Sequence, residues 1–486
     1  MLQATFFRTK NARDLHKFIR KMQSYRRKCI DKNVFLRVYY EYNIVWRCVF
    51  LYRTALETLT KWKNSPNKKP LIIEGARQVG KTWLMKEFGK KSFTKTVYIN
   101  FDSNSRMKEL FDSDLNVERL IMGFELYSDC KITPDDTLII FDEVQEVPRA
   151  LSSLKYFCEN APEYNIICAG SLLGIALHEG TSFPVGKVDF LHLYPLTFRE
   201  FLLAAGKEKF VELLKNGDYS MLSVFRQDLI DLLKHYYFIG GMPEAVNAFT
   251  VNKDFREVRD IQKRILNAYE QDFSKHAPTD TVPKIRMIWN SIPSQLAKEN
   301  KKFLYGLVRE GARAKEFENA IMWLSDCGLV HKVPRVTAGR LPLKAYEDMK
   351  AFKMYMLDVG LLGCMAGLSA KTLLDGNDLF VEFKGALTEQ YVLQQMISEK
   401  NFNICYYTND SGQCEVDFIV DNGELAVPVE VKAEVNLKAK SLKSYIDKFS
   451  PDIAVRTSMA DYKKDNDLVN LPLYAIENLG SILESV

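Results

Sequence analysis

Gly75-Ala76-Arg77-Gln78-Val79-Gly80-Lys81-Thr82 constrains the fold of this chain more than any other stretch. It completes the pattern G-x-x-x-x-G-K-[ST], and its flanks suit that pattern. Leu71-Ile72-Ile73 is a short apolar run that reads as a buried strand, and Trp83 to Phe88 reads as the opening of a helix. Two glycines let the backbone curl so that successive N–H groups face phosphate oxygens, and the helix N-terminus adds its positive dipole. Lys81 is placed to reach the outer phosphates and Thr82 to hold Mg²⁺. Gly75, Ala76, Arg77, Gln78, Val79, Gly80, Lys81 and Thr82 are therefore the expected nucleotide-binding residues, with ATP and Mg²⁺ the expected cofactors.

A second motif fits the first. Leu138-Ile139-Ile140-Phe141 ends in Asp142-Glu143, 61 residues after Lys81. Continuous apolar runs mark buried parallel strands, and ligands bind at the carboxyl ends of such strands. Asp142 is expected to hold Mg²⁺ through water and Glu143 to polarise the attacking water. Val97 to Phe101 supplies an intervening strand. Asn165 to Gly170 reads as another, ending at Ser171, which is either a helix cap or a group facing the nucleotide. The alternation of strands and helices to about residue 200 predicts a doubly wound α/β domain.

At 486 residues the chain is too long for one ordinary core. We expect a basic N-terminal extension at 1–50, a P-loop ATPase domain at 51–200, a helical subdomain at 201–283, a winged-helix-like segment at 284–349 and an α/β domain at 350–486. Residues 1–50 carry 12 Lys/Arg and 3 Asp/Glu, which leaves 55 basic and 59 acidic residues in the rest. The whole-chain charge of +5 is thus no argument for nucleic acid. The head reads as an accessory extension, or as an arm for nucleic acid or a membrane surface. No apolar run approaches the roughly 18 residues of a membrane span. The nine cysteines form no C-x-x-C and histidines number only six, a pattern that fits reduced thiols in a cytoplasm.

The C-terminal segment holds a second constellation. Glu415-Val416-Asp417-Phe418 reads as a strand, Asn422-Gly423 as a hairpin turn and Val427 to Lys432 as the returning strand. Glu430 and Lys432, two apart, share a face that Asp417 can reach. This is the Asp…Glu-x-Lys arrangement of metal-dependent nucleases, in which carboxylates hold Mg²⁺ and the lysine orients or deprotonates water. Glu389, on a preceding helix, is placed to complete the metal shell with Asp417 and Glu430.

From about residue 50 onward the chain resembles a large prokaryotic family of AAA-type ATPases that pair a P-loop domain with a C-terminal domain of unknown function. The resemblance rests on Gly75–Thr82, Phe141–Gln145, Ala169–Gly174, Leu193–Phe201, Gly240–Ala245, Phe352–Leu362 and Glu415–Lys432, in the same order. It implies an α/β ATPase domain, a winged-helix-like middle and a C-terminal restriction-endonuclease-like fold similar to PD-(D/E)xK nucleases. Residues 1–49 fall outside it. Lys187 stands where relatives often place an arginine; as a finger on a neighbour's γ-phosphate it would be weaker, with Arg149 or Arg199 as substitutes. Four functions fit this reading: an ATP-gated nuclease, a catalytically silent DNA- or protein-binding module, a slow signalling switch, and a DNA motor. DNA and further copies of the chain are the candidate partners, and the lysines at 438, 440 and 443 beside the C-terminal site are candidate DNA contacts or a solvated face.

Overall fold

Short apolar strands alternating with amphipathic helices build two sheets in the computed structural model, which describes residues 51–170, 183–298, 301–375, 378–399, 402–409, 412–435 and 439–485. The chain divides into Met1–Phe50 and Leu51–Val486. The basic head, Ser171 and Lys438 lie outside the described residues.

The first sheet follows helix α1 (Ala55–Lys63) and contains β1 (Leu71–Glu74), β2 (Lys95–Asn100), β3 (Thr137–Asp142), β4 (Asn165–Ala169) and β5 (Asp189–His192). All neighbours are parallel, in the order β2-β3-β4-β1-β5. Helices α2 (Lys81–Ser92), α3 (Ser105–Ser113), α4 (Val117–Ser128) and α5 (Pro148–Asn160) make the crossovers. Every residue of β3 is buried, as a central strand covered on both faces requires. Edge-to-face rings fill one layer: Phe141 meets Phe101 at 5.4 Å and Phe124 at 5.5 Å.

Helix α6 (Phe198–Ala204) begins where Thr197 and Glu200 close a capping box. Glu200 also pairs with Arg53 at 3.2 Å, tying the chain just before α1 to the end of the ATPase segment. Helices α7 (Glu208–Asn216), α8 (Tyr219–Val224), α9 (Arg226–Ile239), α10 (Pro243–Asn252) and α11 (Phe255–His276) follow. The break between α9 and α10 is enforced by Gly240, whose φ is +72°; a Cβ there would lie 2.1 Å from Asp358 Oδ1. Asp358 accepts from the Gly241 N–H at 2.6 Å and from Gln394 Nε2 at 3.1 Å, so a buried carboxylate joins three parts of the chain.

Three helices, α12 (Val282–Leu296), α13 (Tyr305–Val308) and α14 (Ala314–Asp326), lead into an antiparallel hairpin, β6 (Val330–Val336) and β7 (Glu347–Met356). The sequence suggested a separate wing ending at 349. Instead, β6 also pairs in parallel with β8 (Asn403–Thr408), through Arg335↔Tyr406 and Val336↔Tyr407. The hairpin therefore belongs to the C-terminal sheet, and a cut at 349/350 falls inside β7. After α15 (Val359–Met365), α16 (Ala370–Asp375), α17 (Asp378–Glu399) and β8, the sheet adds β9 (Glu415–Asp421), β10 (Ala426–Val431), β11 (Ala454–Ser458), β12 (Lys463–Asp465) and β13 (Leu468–Pro472), with α18 (Lys440–Phe449) between β10 and β11. Its order is β12-β13-β11-β10-β9-β8-β6-β7.

Candidate nucleotide site and C-terminal carboxylate cluster

The phosphate loop joins β1 to α2. Gly75 has φ +139°, and a Cβ there would lie 2.2 Å from the Leu193 carbonyl oxygen; Gly80 has φ +97°. Neither conformation suits a residue with a side chain. Lys81 is buried and donates to the carbonyls of Gly75 at 2.7 Å and Ala76 at 2.8 Å. Burial pulls its pKa down to about 8, against the opposing pull of Glu143 and Asp142. Arg53 donates to the Val79 carbonyl at 3.0 Å, and Tyr269 donates to the Arg77 carbonyl at 2.8 Å. The Arg77 guanidinium pairs with Asp272.

The tip of β3 meets this loop across β4. Asp142 Oδ2 accepts from Thr82 Oγ1 at 2.8 Å and from the Tyr98 hydroxyl at 2.8 Å, while Oδ1 accepts from the Glu143 N–H at 3.2 Å. A hydroxyl beside a carboxylate is the hard-oxygen pair that suits Mg²⁺, so these residues fit that ion. Glu143 takes the left-handed conformation, φ +52°, and accepts from Gln145 Nε2 at 2.8 Å. Tyr98 and Gln145 are contacts the sequence reading missed. Tyr98 lies two residues before Asn100 in the predicted strand, and only the register that pairs it with Ile140 brings it to Asp142.

The three arginine-finger candidates have partners of their own. Lys187 pairs with Glu159 at 3.0 Å, and Arg149 Nε donates to the Phe111 carbonyl at 2.7 Å. Arg199 pairs with Glu399 at 3.1 Å and donates to Asn478, so it ties α6 to the C-terminal region.

In the C-terminal sheet, β9 and β10 form the expected hairpin, and the Val431 N–H donates to Asp417 Oδ2 at 2.8 Å. Lys432, just past β10, reaches Glu430 Oε1 at 2.7 Å. Glu389 on α17 comes to the same place. Two lysines absent from the sequence reading enter with it. Lys301 pairs with Glu389, and Lys353 lies 3.7 Å from Glu389 and 2.5 Å from Glu415. The Lys353 side chain is fully buried. The Tyr355 hydroxyl adds a bond to Glu389 at 3.0 Å.

These neighbours set the charges. Burial favours a neutral Glu389, but Lys301 and Lys353 outweigh it and hold the carboxyl well below its usual range. Burial, Glu389 and Glu430 push Asp417 well above its usual range. Burial raises Glu430 despite Lys432, and Glu430 Oε2 is buried without a hydrogen-bond partner. Among the described residues, no three His, Cys, Asp or Glu side chains form a group able to hold a metal ion. Of the expected Mg²⁺ ligands Glu389, Asp417 and Glu430, Glu389 is the one that lysines from other segments contact. Both Glu389 oxygens already face cations or a hydroxyl donor. A lysine in the apolar run Phe352-Lys353-Met354-Tyr355-Met356 was the clue, since such a strand does not bury a charge without a partner.

Comparison with known proteins gives the following. Residues 67–202 match the AAA domain family, 230–372 match a domain of unknown function (DUF8612) and 384–476 match another (DUF4143). No curated protein matches the chain. Similar solved structures include the Walker-type ATPase PABY2304 of Pyrococcus abyssi, at 15% identity and TM-score 0.41, covering 65% of this chain and 96% of that one. The Aeropyrum pernix Orc1 protein in complex with DNA follows at 11% and 0.27, covering 64% and 90%. The Thermotoga maritima RuvB Holliday junction branch migration motor stands at 12% and 0.27, covering 59% and 91%. The first sheet and its loop are an AAA-type P-loop domain. Among the described residues, no helix is long and apolar enough to cross a membrane.

Proposed function

We propose that this chain is a Mg²⁺-dependent ATPase whose nucleotide state acts on its nuclease-like C-terminal region. The observation that carries the ATPase reading is the junction of Thr82, Asp142 and Lys81 at the ends of β1 and β3. Lys81 leaves its loop carbonyls for the phosphates. Thr82 and Asp142 hold Mg²⁺, which when bound neutralises phosphate charge. Glu143 takes a proton from the attacking water, and its bond from Gln145 sets its orientation. Ser171 remains a candidate nucleotide-facing group.

For the C-terminal region, the lysine–carboxylate network favours the silent-module reading over the nuclease reading. Lys301 and Lys353 pair with Glu389, one of the three carboxylates a metal would need. Exposed Lys440 and Lys443 on α18 support DNA as a partner, bound by charge rather than cut. Self-association and a cytoplasmic location belong to the same proposal.

The test is a pair of substitutions. Lys81→Ala should weaken ATP at least tenfold, about 1.4 kcal/mol or more. Glu143→Gln should keep binding while turnover falls by on the order of 10². Normal ATP affinity in folded Lys81→Ala protein would refute the nucleotide site. Cleavage of single-stranded, double-stranded or branched DNA with Mn²⁺, lost in Asp417→Ala or Lys432→Ala, would restore the nuclease reading.

A further inference from the structure

The phosphate loop is held from outside its own domain. Four of its carbonyls accept from side chains: Gly75 and Ala76 from Lys81, Val79 from Arg53, and Arg77 from Tyr269. The last donor belongs to the helical middle of the chain. Tyr269 and Asp272 are three apart on α11 and so share a face. The first bonds the Arg77 backbone and the second pairs with the Arg77 side chain. The Tyr269 ring is buried and meets Trp289 of α12 edge-on at 6.2 Å, which fixes the hydroxyl.

Helix α11 is 22 residues long, about 33 Å at the rise of an α-helix. Toward its other end, Gln262 donates to the carbonyls of Phe238 at 2.8 Å and Ile239 at 3.0 Å. Arg259 donates to the Leu368 carbonyl at 2.7 Å, in the segment after α15. One rigid element therefore touches the nucleotide loop at one end and the approach to the C-terminal sheet at the other.

We propose that Tyr269 and Asp272 are positioning residues for the nucleotide, with opposite effects. Tyr269 holds the loop in its phosphate-binding shape. Asp272 engages Arg77, a cation that an anion bound by residues 75–82 shares with it. Through this pair α11 sets nucleotide affinity, and by thermodynamic reciprocity the nucleotide acts on α11. This rests on the ATP reading above and names how that site is regulated.

The experiment is calorimetric titration of MgATP into the full-length protein and two variants, with hydrogen exchange of α11 with and without MgATP. Tyr269→Phe keeps the ring against Trp289 and should weaken MgATP about fivefold, the worth of one hydrogen bond. Asp272→Asn leaves Arg77 to the phosphates and should tighten MgATP by about the same factor. MgATP should slow exchange along α11 in the wild type. Opposite shifts separate this role from a loss of packing, which moves both variants one way. Shifts in the same direction, shifts below about twofold, or α11 exchange unaffected by MgATP would overturn the proposal. If wild-type protein fails to bind MgATP, the nucleotide reading itself falls.

Discussion

Replacing Lys353 by Met tests the charge network most directly. The side chain is fully buried, 2.5 Å from Glu415 and 3.7 Å from Glu389. Met fills a similar volume and removes only the cation. Losing one partner of a buried pair costs about 3–5 kcal/mol, because the remaining carboxylate keeps its desolvation penalty. Glu389 retains Lys301, and the Glu415 side chain is 21% exposed, so water recovers part of the loss. The low end, about 3 kcal/mol, is the expected destabilisation. Urea unfolding of wild type and variant at pH 7.5 measures it, and Lys353→Met/Glu415→Gln should recover at least 1 kcal/mol or so, since the two residues are in contact. The lysines hold Glu389 below its usual value of 4.5, so its stabilisation is present above that value and is lost as pH falls toward the lowered pKa. The gap between wild type and Lys353→Met should accordingly narrow below pH 4.5 or so. A gap under about 1 kcal/mol at pH 7.5, or no rescue by Glu415→Gln, would refute the counter-ion role.

Two further perturbations probe the nucleotide site and the contact between regions. Tyr98→Phe removes one of the donors on Asp142; the Mg²⁺ concentration for half-maximal ATPase should rise about fivefold with little change in kcat at saturating Mg²⁺, and an unchanged Mg²⁺ dependence would dismiss Tyr98. Burial raises the Glu477 carboxyl to about 7, against the pull of the Arg199 guanidinium 3.9 Å away and of the Arg199 backbone N–H, which donates to it at 2.9 Å. The neutral form's stabilisation is complete below 4.5 and is lost as pH rises through 7, so unfolding free energy should fall by up to about 3 kcal/mol across that range. Glu477→Gln should flatten this slope in denaturation measured from pH 5 to 8, and an unaltered slope would assign it to other groups.

The phosphate loop and its strand were legible because their chemistry is local. Glycines at 75 and 80, a lysine and a threonine must follow one another for the backbone to wrap a phosphate. The Asp142 strand was legible because both faces of a central strand are apolar. The β9–β10 hairpin was marked by Asn422-Gly423, where Gly423 takes φ +95°. What stayed hidden were the distant partners that no motif points to. Tyr269 reaches Arg77 over 192 residues, and Lys301 reaches Glu389 over 88. The pattern Asp…Glu-x-Lys specifies three side chains on one hairpin and says nothing of the lysines that other segments bring to them. The segment at 284–349 reads as winged-helix-like in the sequence, because the strand that pairs with β6 lies beyond α17 and leaves no mark in β6's own residues.

That partnership has a consequence for how the chain is made. On the ribosome, β6 and β7 emerge well before β8, so the β6 edge waits through the synthesis of α15, α16 and α17. An unpaired edge recruits strands from other chains. Pro334 sits one residue before the point where β6 begins to pair with β8, at an irregularity in its ladder with β7. Lacking an N–H, it interrupts the stretch of β6 that precedes Arg335 as a template for a stray strand. By this argument the same residue would protect the nascent chain during the interval, and it marks where the finished sheet begins its parallel pairing. Pro334→Val should leave the folded sheet nearly unchanged and lower the soluble yield on expression.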